Sequence, residues 1–375
     1  MKYRKFGKTN LELSVFSLGL MRCCYSEKQL LNTVKKGINL GINHLETAQG
    51  YGKSEFYLGN SLKRLSFPRE KIFITTKLTP TATPEIMEIT LSKSLDNLQL
   101  DYLDCVAIHG INTQEHLEQL TAKNSYISVL LNAKKQGIIR HLGFSTHGSL
   151  QLIKNTIDTD FFDFVNLHYY YFFQRNYPII QLAEEKNLGV FIISPADKGG
   201  KLYQPPTKLR QLCEPFSPLE LNYRFLLSHP SITTLSVGAA NPQELIAPLE
   251  VGDKDYPLNR EEKETFNKIN TTLKQTLQTD SCSQCYQCLP CPENINIPEV
   301  LRLRNLGVGL DMTDYSSYRY QMFENAGHWF WGNKGNKCTD CGDCLPKCPE
   351  NLNIPDLLRD SHERFKGSNG RRLWE

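Results

Sequence analysis

Short apolar runs alternate with amphipathic stretches along most of the chain. Between residue 13 and about residue 250, eight apolar or β-branched runs are separated, in most cases, by segments with helical spacing. The helical spacing is clearest over residues 26–41 and 83–100. Alternating β and α segments over this length predict a parallel sheet, and eight repeats predict a closed (β/α)8 TIM barrel. The predicted strands are VFSLGL, HLETA, IFITTKL, LDCVAIHG, IIRHLGFST, FDFVNLHYY, GVFIISPA and TTLSVGA.

Two further elements flank this region. The opening KYRKFGKTNLEL predicts a hairpin with a turn over residues 7–10 that closes the barrel floor. After the last strand, a long helix is predicted from Asn259 to about Gln278, with Glu262 completing a capping box. No Gly/Pro/Ser-rich linker separates this helix from Cys282, so we expect a stiff junction.

The end of the chain contains an internal repeat. CPENINIPEVLR starts at Cys291, and the nearly identical CPENLNIPDLLR starts at Cys348. Pro298 and Pro355 each stand where a helix would begin, the position that tolerates a missing backbone N–H. A duplicated supersecondary unit explains the repeat.

Composition and charge narrow the classes of protein. The 375 residues are 40% hydrophobic and 22% charged, with a formal net charge of +3, which favours neither nucleic acid nor an anionic membrane as partner. No apolar stretch is long enough to span a bilayer, and the N-terminus lacks the apolar region of a signal peptide. We therefore expect a cytoplasmic protein, in which dense cysteines indicate metal binding rather than disulfides.

Eight of the twelve cysteines lie in two groups, CSQCYQCLPCP and CTDCGDCLPKCP. A spacing of two residues lets three consecutive thiolates surround one cube of iron and sulfide, and the fourth cysteine, followed by Pro, ligates the other cube. The first group is one residue short before its fourth cysteine. The crossed assignment gives one set of Cys282, Cys285, Cys288 and Cys348, and a second set of Cys338, Cys341, Cys344 and Cys291.

Zinc or an empty, degenerate module are the alternatives to two 4Fe–4S clusters. Structural zinc sites usually bring two separated pairs of ligands together, whereas an uninterrupted run of four cysteines suits a cluster better. The module resembles a two-cluster bacterial-type ferredoxin, and its long helical insert looks like the ferredoxin modules fused to large oxidoreductases. We therefore predict a barrel domain over residues 1–258 and a helical, ferredoxin-like Fe–S domain over residues 259–375. The remaining cysteines, Cys23, Cys24, Cys105 and Cys213, are expected to be buried.

Four ionisable side chains fall at the carboxyl ends of consecutive predicted strands, where barrels of this kind place their chemistry. Glu46 ends the second strand, Tyr51 follows in its loop, Lys77 ends the third and His109 ends the fourth. Together they suggest carbonyl reduction. Tyr51 would protonate the developing oxyanion, Lys77 would lower the pKa of that phenol, Glu46 would orient Lys77, and His109 would hydrogen-bond the carbonyl oxygen.

The segments ETAQGYGKSE, TTKL and AIHG, in this order, resemble the aldo-keto reductases, a family of NAD(P)-dependent barrel enzymes. The resemblance covers about residues 1–250, and the whole chain resembles the subgroup with a C-terminal Fe–S domain. It implies a catalytic tetrad of Tyr51, Lys77, His109 and Glu46 and a small carbonyl or alcohol substrate. It also implies nicotinamide and phosphate contacts from Ser145, Thr146, Asn166, Ser194, Lys198, Gly200, Gly238 and Gln243.

This sequence departs from the family pattern at four places. Glu46 replaces the family's Asp, and Thr146 replaces the Asn that helps to grip the nicotinamide amide. The aromatic residue that usually stacks on the nicotinamide is aliphatic here, near Ile193. The segment GAANPQE after the last strand contains Glu244 and no Arg or Lys, so the resemblance implies weaker cofactor binding or a preference for NAD over NADP.

A nicotinamide transfers a hydride, whereas a 4Fe–4S cluster accepts one electron at a time, and the chain has no GxGxxG fingerprint of a flavin site. Three hypotheses follow. In the first, an aldo-keto-type oxidoreductase exchanges electrons through its clusters with a ferredoxin or another carrier. In the second, a carbonyl reductase uses its clusters only as structural braces. In the third, the chain is a redox or iron sensor in which Glu46 and the altered nicotinamide contacts mark lost catalysis.

Overall fold

The computed structural model describes residues 1–367, which contain ten β-strands and fourteen α-helices. The strands are β1 Tyr3–Lys5, β2 Glu12–Ser14, β3 Phe16–Gly19, β4 His44–Glu46, β5 Phe73–Leu78, β6 Leu103–His109, β7 Ile139–Ser145, β8 Phe164–Leu167, β9 Gly189–Ile192 and β10 Thr234–Val237. The helices are α1 Glu27–Asn39, α2 Ser54–Leu65, α3 Pro84–Leu98, α4 Gln114–Thr121, α5 Ile127–Lys135, α6 Leu150–Ile157, α7 Tyr177–Glu185, α8 Thr207–Cys213, α9 Pro218–Leu227, α10 Ile246–Leu249, α11 Arg260–Leu277, α12 Ile297–Leu310, α13 Thr313–Tyr320 and α14 Ile354–Phe365.

Strands β3 to β10 form a closed parallel barrel. Each strand pairs with the next along the chain, and β10 returns to pair with β3, with Leu235 opposite Phe16 and Val237 opposite Leu18. The barrel strands are almost entirely buried, which explains why their sequences read as short apolar runs rather than as alternating patterns. The predicted eight-stranded (β/α)8 barrel is confirmed.

The N-terminal hairpin packs under the barrel. Strands β1 and β2 pair in antiparallel register, with Tyr3 opposite Ser14. The turn between them carries Phe6, whose fully buried ring lies 5.1 Å from the ring of Phe164 at the start of β8. A Cβ added to Gly189, the first residue of β9, would lie 2.3 Å from the Phe6 ring. Glycine at that position therefore makes room for the aromatic side chain that fills the barrel floor.

Side-chain caps fix the starts of the predicted helices. Ser26 accepts a hydrogen bond from Gln29 N at the start of α1, and Thr83 accepts one from Ile86 N at the start of α3. At α11 the capping box is complete, since Asn259 accepts from Glu262 N while the Glu262 carboxylate accepts from Asn259 N. Each cap satisfies backbone N–H groups that the first helical turn leaves without partners.

The chain divides into two compact units. The first contains Met1–Gly199 and Asn222–Pro257, and the second contains Gly200–Leu221 and the chain from Leu258 onward. The division near residue 258 lies next to the predicted domain boundary, but residues 200–221 differ, because the prediction placed them with the barrel. Their side chains explain the difference. A Cβ added to Gly200 would lie 2.7 Å from Met312 Cε, and the Lys201 ammonium lies 4.2 Å from the centre of the Tyr318 ring.

The second unit is built around α12, which is buried along nearly its whole length and packs against α11, α13 and α14. Both α12 and α14 begin at an Ile-Pro pair, as the repeat predicted. Arg302 and Glu299 form a buried ion pair of 2.6 Å on α12, and Arg304 pairs with Asp280 and Asp360. Over residues 1–367, none of the helices has both the length and the apolar character that crossing a membrane would require.

Candidate active site and cysteine cavities

The register of the parallel strands gathers the predicted catalytic residues at one rim of the barrel. Glu46 is the last residue of β4 and lies opposite Thr75, two residues before Lys77 on β5. His109 is the last residue of β6 and lies opposite Ser145, the last residue of β7. Since all eight strands run in the same direction, these side chains end at the carboxyl rim.

Tyr51 reaches the rim from the loop after β4. Its N–H donates to Ala48 O at 3.0 Å, and its carbonyl accepts from Ser54 N, the first residue of α2, at 3.1 Å. This turn brings the Tyr51 hydroxyl to 2.9 Å from Lys77 Nζ. Lys77 also forms an ion pair with Glu46, and both charged side chains are less than 5% exposed. The extra methylene of glutamate therefore still allows the contact with lysine.

His109 faces the same tyrosine. The ring centres of His109 and Tyr51 lie 5.8 Å apart, and the two ring planes are nearly perpendicular at 84°. The Lys77 ammonium lies 4.7 Å from the centre of the Tyr51 ring. The structure thus brings all four predicted catalytic side chains into one group around the Tyr51 phenol.

Burial controls the ionisation of this group. It raises the pKa of Tyr51 above its ordinary value of 10.0, and the nearby Cys24 thiol acts in the same direction. Burial also lowers the pKa of Lys77 well below its ordinary value, and the Lys198 cation adds to that effect. The pKa of Tyr51 therefore lies above its ordinary value and not below it as the sequence analysis expected, because burial removes water from around the phenolate.

Asn166 is the clearest candidate for binding a polar ligand at the rim. It lies on β8, opposite Ser145, and is fully buried. Within residues 1–367, neither Nδ2 nor Oδ1 of Asn166 has a hydrogen-bond partner. A buried amide without partners is costly, and a carboxamide could satisfy both of its atoms.

The neighbouring Ser145 and Thr146 hydroxyls are already used within the protein. Ser145 Oγ accepts from Gly110 N at 3.1 Å. Thr146 Oγ1 donates to Ile111 O at 2.6 Å and accepts from Gly148 N at 3.0 Å. Thr146 therefore holds two loops together, and its hydroxyl proton is committed to the Ile111 carbonyl.

A cluster of basic side chains, which the sequence analysis missed, surrounds Lys198. Lys198 Nζ lies 3.5 Å from His147 Nε2, and His147 Nε2 lies 3.1 Å from His168 Nε2. The two imidazole ring centres are 4.2 Å apart. His168 also hydrogen-bonds the Tyr170 hydroxyl. The family resemblance places the segments that contain Lys198 and both histidines near the cofactor, but it predicts only Lys198 as a contact.

The remaining predicted cofactor contacts lie in loops. Ser194 has a left-handed backbone with φ of 54°, and its carbonyl accepts from Lys198 N at 3.0 Å, which starts the turn that carries Lys198. Gln243 N donates to Asn241 Oδ1 at 3.0 Å. Gly200 belongs to the second compact unit, where it packs beside Met312.

Arg22 reaches the segment after the last barrel strand, where the sequence alone showed no basic residue. Its Nη1 donates to Gly238 O and to Glu244 Oε2, each at 2.8 Å. The Glu244 carboxylate also accepts from Ala240 N at 3.0 Å and from Asn241 Nδ2 at 3.2 Å. The carboxylate thus occupies a set of anion-binding donors that the chain itself provides.

Cys24 was expected to be buried with the other scattered cysteines, but it is only half-buried. Its thiol donates to Met21 O at 3.1 Å and lies 3.5 Å from the carbonyl oxygen of Tyr51. Cys23, Cys105 and Cys213 are buried as expected. Burial raises the pKa of Cys23 and of Cys213 to about 12, so these thiols stay protonated at neutral pH.

The eight clustered cysteines line two cavities in the second unit. The cavities enclose about 310 Å³ and 360 Å³, part of which is open to solvent. Cys288 lies on the wall of both, and each cavity combines three cysteines of one group with the fourth cysteine of the other. The smaller cavity is lined by Cys282, Cys285, Cys288 and Cys348, and the larger by Cys291, Cys338, Cys341, Cys344 and Cys288.

The thiols line the walls of the two cavities and do not come together around one common metal position. Nowhere in residues 1–367 do three or more His, Cys, Asp or Glu side chains come close enough together to hold a single metal ion. A wide cavity bordered by four thiols suits a cube of iron and sulfide better than a tetrahedral zinc ion. Burial raises the pKa of Cys288 to about 12 and of Cys344 to about 11, so binding must displace their protons.

Comparison with protein families agrees with this division of the chain. Residues 16–271 match the model of the aldo/keto reductase family. Residues 281–353 match a model described as a 4Fe-4S dicluster domain. The first match covers the barrel, and the second covers both cysteine groups.

Individual relatives match the barrel. The chain is 23% identical over 282 residues to the uncharacterized oxidoreductase YqkF of Bacillus subtilis, a match that covers 65% of this chain and 89% of that protein. It is 31% identical over 157 residues to the methylglyoxal reductase DkgA of Escherichia coli, covering 40% of this chain and 54% of that protein. The fold is similar to the holo form of aldo-keto reductase AKR11C1 from Bacillus halodurans, with a TM-score of 0.63 and 23% identity over 72% of this chain and 96% of that one.

The buried Glu46–Lys77 pair leads to a prediction about stability. Glu46→Gln and Lys77→Met each leave one buried charge without its partner, so each should lower the free energy of unfolding by about 3–5 kcal/mol. The double variant should lose less than either single variant, because no uncompensated charge remains. Denaturant unfolding followed by far-UV circular dichroism measures all three. Additive losses in the double variant would show that the two side chains do not interact.

Proposed function

Since the chain belongs to the aldo/keto reductase family, we propose that it is an NAD(P)H-dependent oxidoreductase that interconverts a small carbonyl compound and its alcohol. We propose further that its C-terminal module holds two 4Fe–4S clusters that exchange single electrons with a carrier protein. The observation that carries the first proposal is the Tyr51 hydroxyl, 2.9 Å from Lys77 Nζ, with Lys77 paired in turn to Glu46.

Each member of the tetrad has a role that follows from its position. A reduced nicotinamide, when bound, would supply the hydride for the carbonyl carbon. Tyr51 donates its phenolic proton to the carbonyl oxygen as negative charge develops there, and His109 beside it orients that oxygen. Lys77 stabilises the phenolate that remains, and Glu46 holds Lys77 in place.

The raised pKa of Tyr51 suits the reductive direction. Carbonyl reduction requires the phenol to carry its proton, and a pKa above the ordinary value of 10.0 keeps it protonated at all neutral pH values. We therefore expect that deprotonation of Tyr51 will not slow the reduction until the pH rises beyond that value. Oxidation of the alcohol needs the phenolate and should speed up as pH rises towards it.

The residues of the rim fit a nicotinamide. The unpartnered Nδ2 and Oδ1 of Asn166 are matched by the oxygen and the nitrogen of a nicotinamide carboxamide. Lys198 offers positive charge for the phosphates, and His147 and His168 lie beside it. We propose that Ser145, Ser194, Gly238 and Gln243 complete the cofactor site, and that Thr146 supports it through its hydrogen bond to Ile111.

Glu244 supports a preference for NAD. Its carboxylate already occupies the donors offered by Arg22, Ala240 N and Asn241 Nδ2. A 2′-phosphate would need the same donors and would meet a negative charge there. Methylglyoxal is the first substrate to test, because DkgA of Escherichia coli is named as a methylglyoxal reductase.

The cavities support crossed ligation of the two clusters. We propose that the thiolates lining the smaller cavity hold one cluster and that Cys291 joins the second cysteine group on the other. Cys285 and Cys341 are exposed, so each cluster would have an edge that a small redox carrier such as a ferredoxin can approach. None of the twelve cysteines, all of which lie in residues 1–367, forms a disulfide, which supports a reducing cytoplasm as the proposed location.

Tyr51→Phe tests the catalytic proposal. Removing the proton donor should lower kcat for NADH-dependent reduction of methylglyoxal by about 10²–10⁴-fold. Tyr57→Phe, on α2 in the same part of the barrel, removes a hydroxyl outside the tetrad and serves as the control. If Tyr51→Phe keeps more than half of the wild-type kcat while NADH still binds, Tyr51 is not the proton donor.

Glu244→Gln tests the preference for NAD. The substitution keeps the shape of the side chain and removes its charge, so the ratio of kcat/KM for NADPH to that for NADH should rise about tenfold, equivalent to about 1.4 kcal/mol. Glu250→Gln removes an exposed charge nearby and should leave the ratio unchanged. An unchanged ratio in Glu244→Gln as well would remove Glu244 from the discrimination between the two cofactors.

Iron analysis of double variants tests the crossed ligation. Protein purified without oxygen should contain about eight iron and eight sulfide per chain. Cys282→Ala/Cys348→Ala should keep about four of each, because both residues serve the same cluster. Cys282→Ala/Cys291→Ala should lose nearly all, because each cluster loses one ligand. The reverse result would mean that each group of four binds its own cluster, and near-zero iron in the unaltered chain would contradict the cluster proposal altogether.

A further inference from the structure

The duplicated cysteine module contains matched positions that differ in charge. Gln284 is the second residue after the first cysteine of its group, and Asp340 occupies the same place in the other group. Both have left-handed backbones, with φ of 61° and 56°, so the two turns have the same shape. An amide in one half therefore corresponds to a carboxylate in the other.

Gln284 points its amide nitrogen at a cysteine sulfur. Its Nε2 lies 3.3 Å from Cys282 Sγ and donates to Pro298 O at 3.0 Å. Because the Pro298 carbonyl can only accept a hydrogen bond, the Gln284 side-chain atom that faces it must be the amide nitrogen and not the amide oxygen. When Cys282 is a thiolate ligand, its sulfur is an acceptor and receives an N–H···S hydrogen bond.

Asp340 cannot make that interaction. Its carboxylate lies 4.0 Å from Cys338 Sγ and has no proton to offer to a thiolate. It pairs instead with Arg359 at 2.6 Å, and Arg359 also pairs with Asp356 at 2.6 Å. One cation thus serves two carboxylates in this half.

The rest of the repeat has the same asymmetry. In the first half, Arg302 pairs with Glu299, the counterparts of Arg359 and Asp356, and the pair is balanced. Gln287 likewise corresponds to Asp343, which lines the larger cavity. From the first to the third cysteine of each group, the second half therefore carries two more negative charges than the first, those of Asp340 and Asp343.

We propose that Gln284 and Asp340 set the two clusters at different reduction potentials, the cluster of the Cys282 cavity being the easier to reduce. The inference rests on the proposed function, since it requires both clusters. Each cluster gains one electron on reduction, and so becomes more negative. A hydrogen bond to a ligand sulfur stabilises that added charge and raises the potential, whereas a nearby carboxylate destabilises it and lowers the potential.

The test is a potentiometric titration of the full chain, purified without oxygen, with dithionite as the electron donor and electron paramagnetic resonance as the readout. The unaltered chain should show two one-electron steps. Gln284→Glu should move only the more positive step to lower potential, and Gln284→Leu should move the same step in the same direction. Gln287→Glu, which adds the same charge at an exposed position of the same cysteine group, should move that step by less. Asp340→Asn should move only the more negative step, to higher potential.

Four results would overturn the proposal. They are coincident steps in the unaltered chain, a shift of the more negative step in Gln284→Glu, a shift of the more positive step in Asp340→Asn, and no shift in either variant. Iron and sulfide must equal those of the unaltered chain in every variant compared. Asp340 is exposed, so Asp340→Asn keeps the proposal testable even if a Gln284 variant fails to assemble its cluster. Absence of iron in the unaltered chain would contradict the proposed function itself, a result distinct from any of these.

Discussion

Closure of the parallel barrel is the constraint on which the candidate active site depends. Pairing of β10 with β3 leaves no free edge, so the position of every strand is set by its two neighbours. The row of opposed residues His109, Ser145 and Asn166 on three neighbouring strands is a direct result of that register. Side chains distant in sequence therefore meet at one rim of a hydrogen-bonded sheet, an arrangement that would preorganise the proposed proton transfer.

The buried charges at the barrel rim are stable only because they form an ion pair. Lys77 and Glu46 are both buried, and each would be strongly destabilising without the other. Tyr51 joins this pair through a neutral hydroxyl, whose burial favours the protonated form. The same loss of water that makes the pair costly thus keeps the phenol protonated, which is the state that the proposed mechanism requires. The cost of burying the ion pair and the protonation of Tyr51 thus have the same cause, which is the exclusion of water from the site.

Strand and helix patterns predicted the barrel, helices α1 and α3, the capping box of α11 and the duplicated module, because these features depend on residues close together in sequence. The contacts of Arg22 with Glu244, of Cys24 with the Tyr51 loop and of Thr146 with Ile111 were not predicted. Each contact joins two loops that the fold brings together. Such a contact produces no periodic pattern and no fixed spacing in the sequence from which it could be predicted. The direction of the Tyr51 pKa was missed for a related reason, since burial is a property of the folded protein.

The proposed crossing of cysteines between the two cavities has a consequence for how the protein is made. A ribosome completes the first cysteine group, all of α12 and all of α13 before Cys348 exists. The cluster that begins at Cys282 then lacks its last ligand throughout that interval. On that proposal, this cluster could be completed only after Cys348 has emerged, and a nascent chain stalled between the two halves would expose three thiols of the first group to oxygen and to stray metal ions.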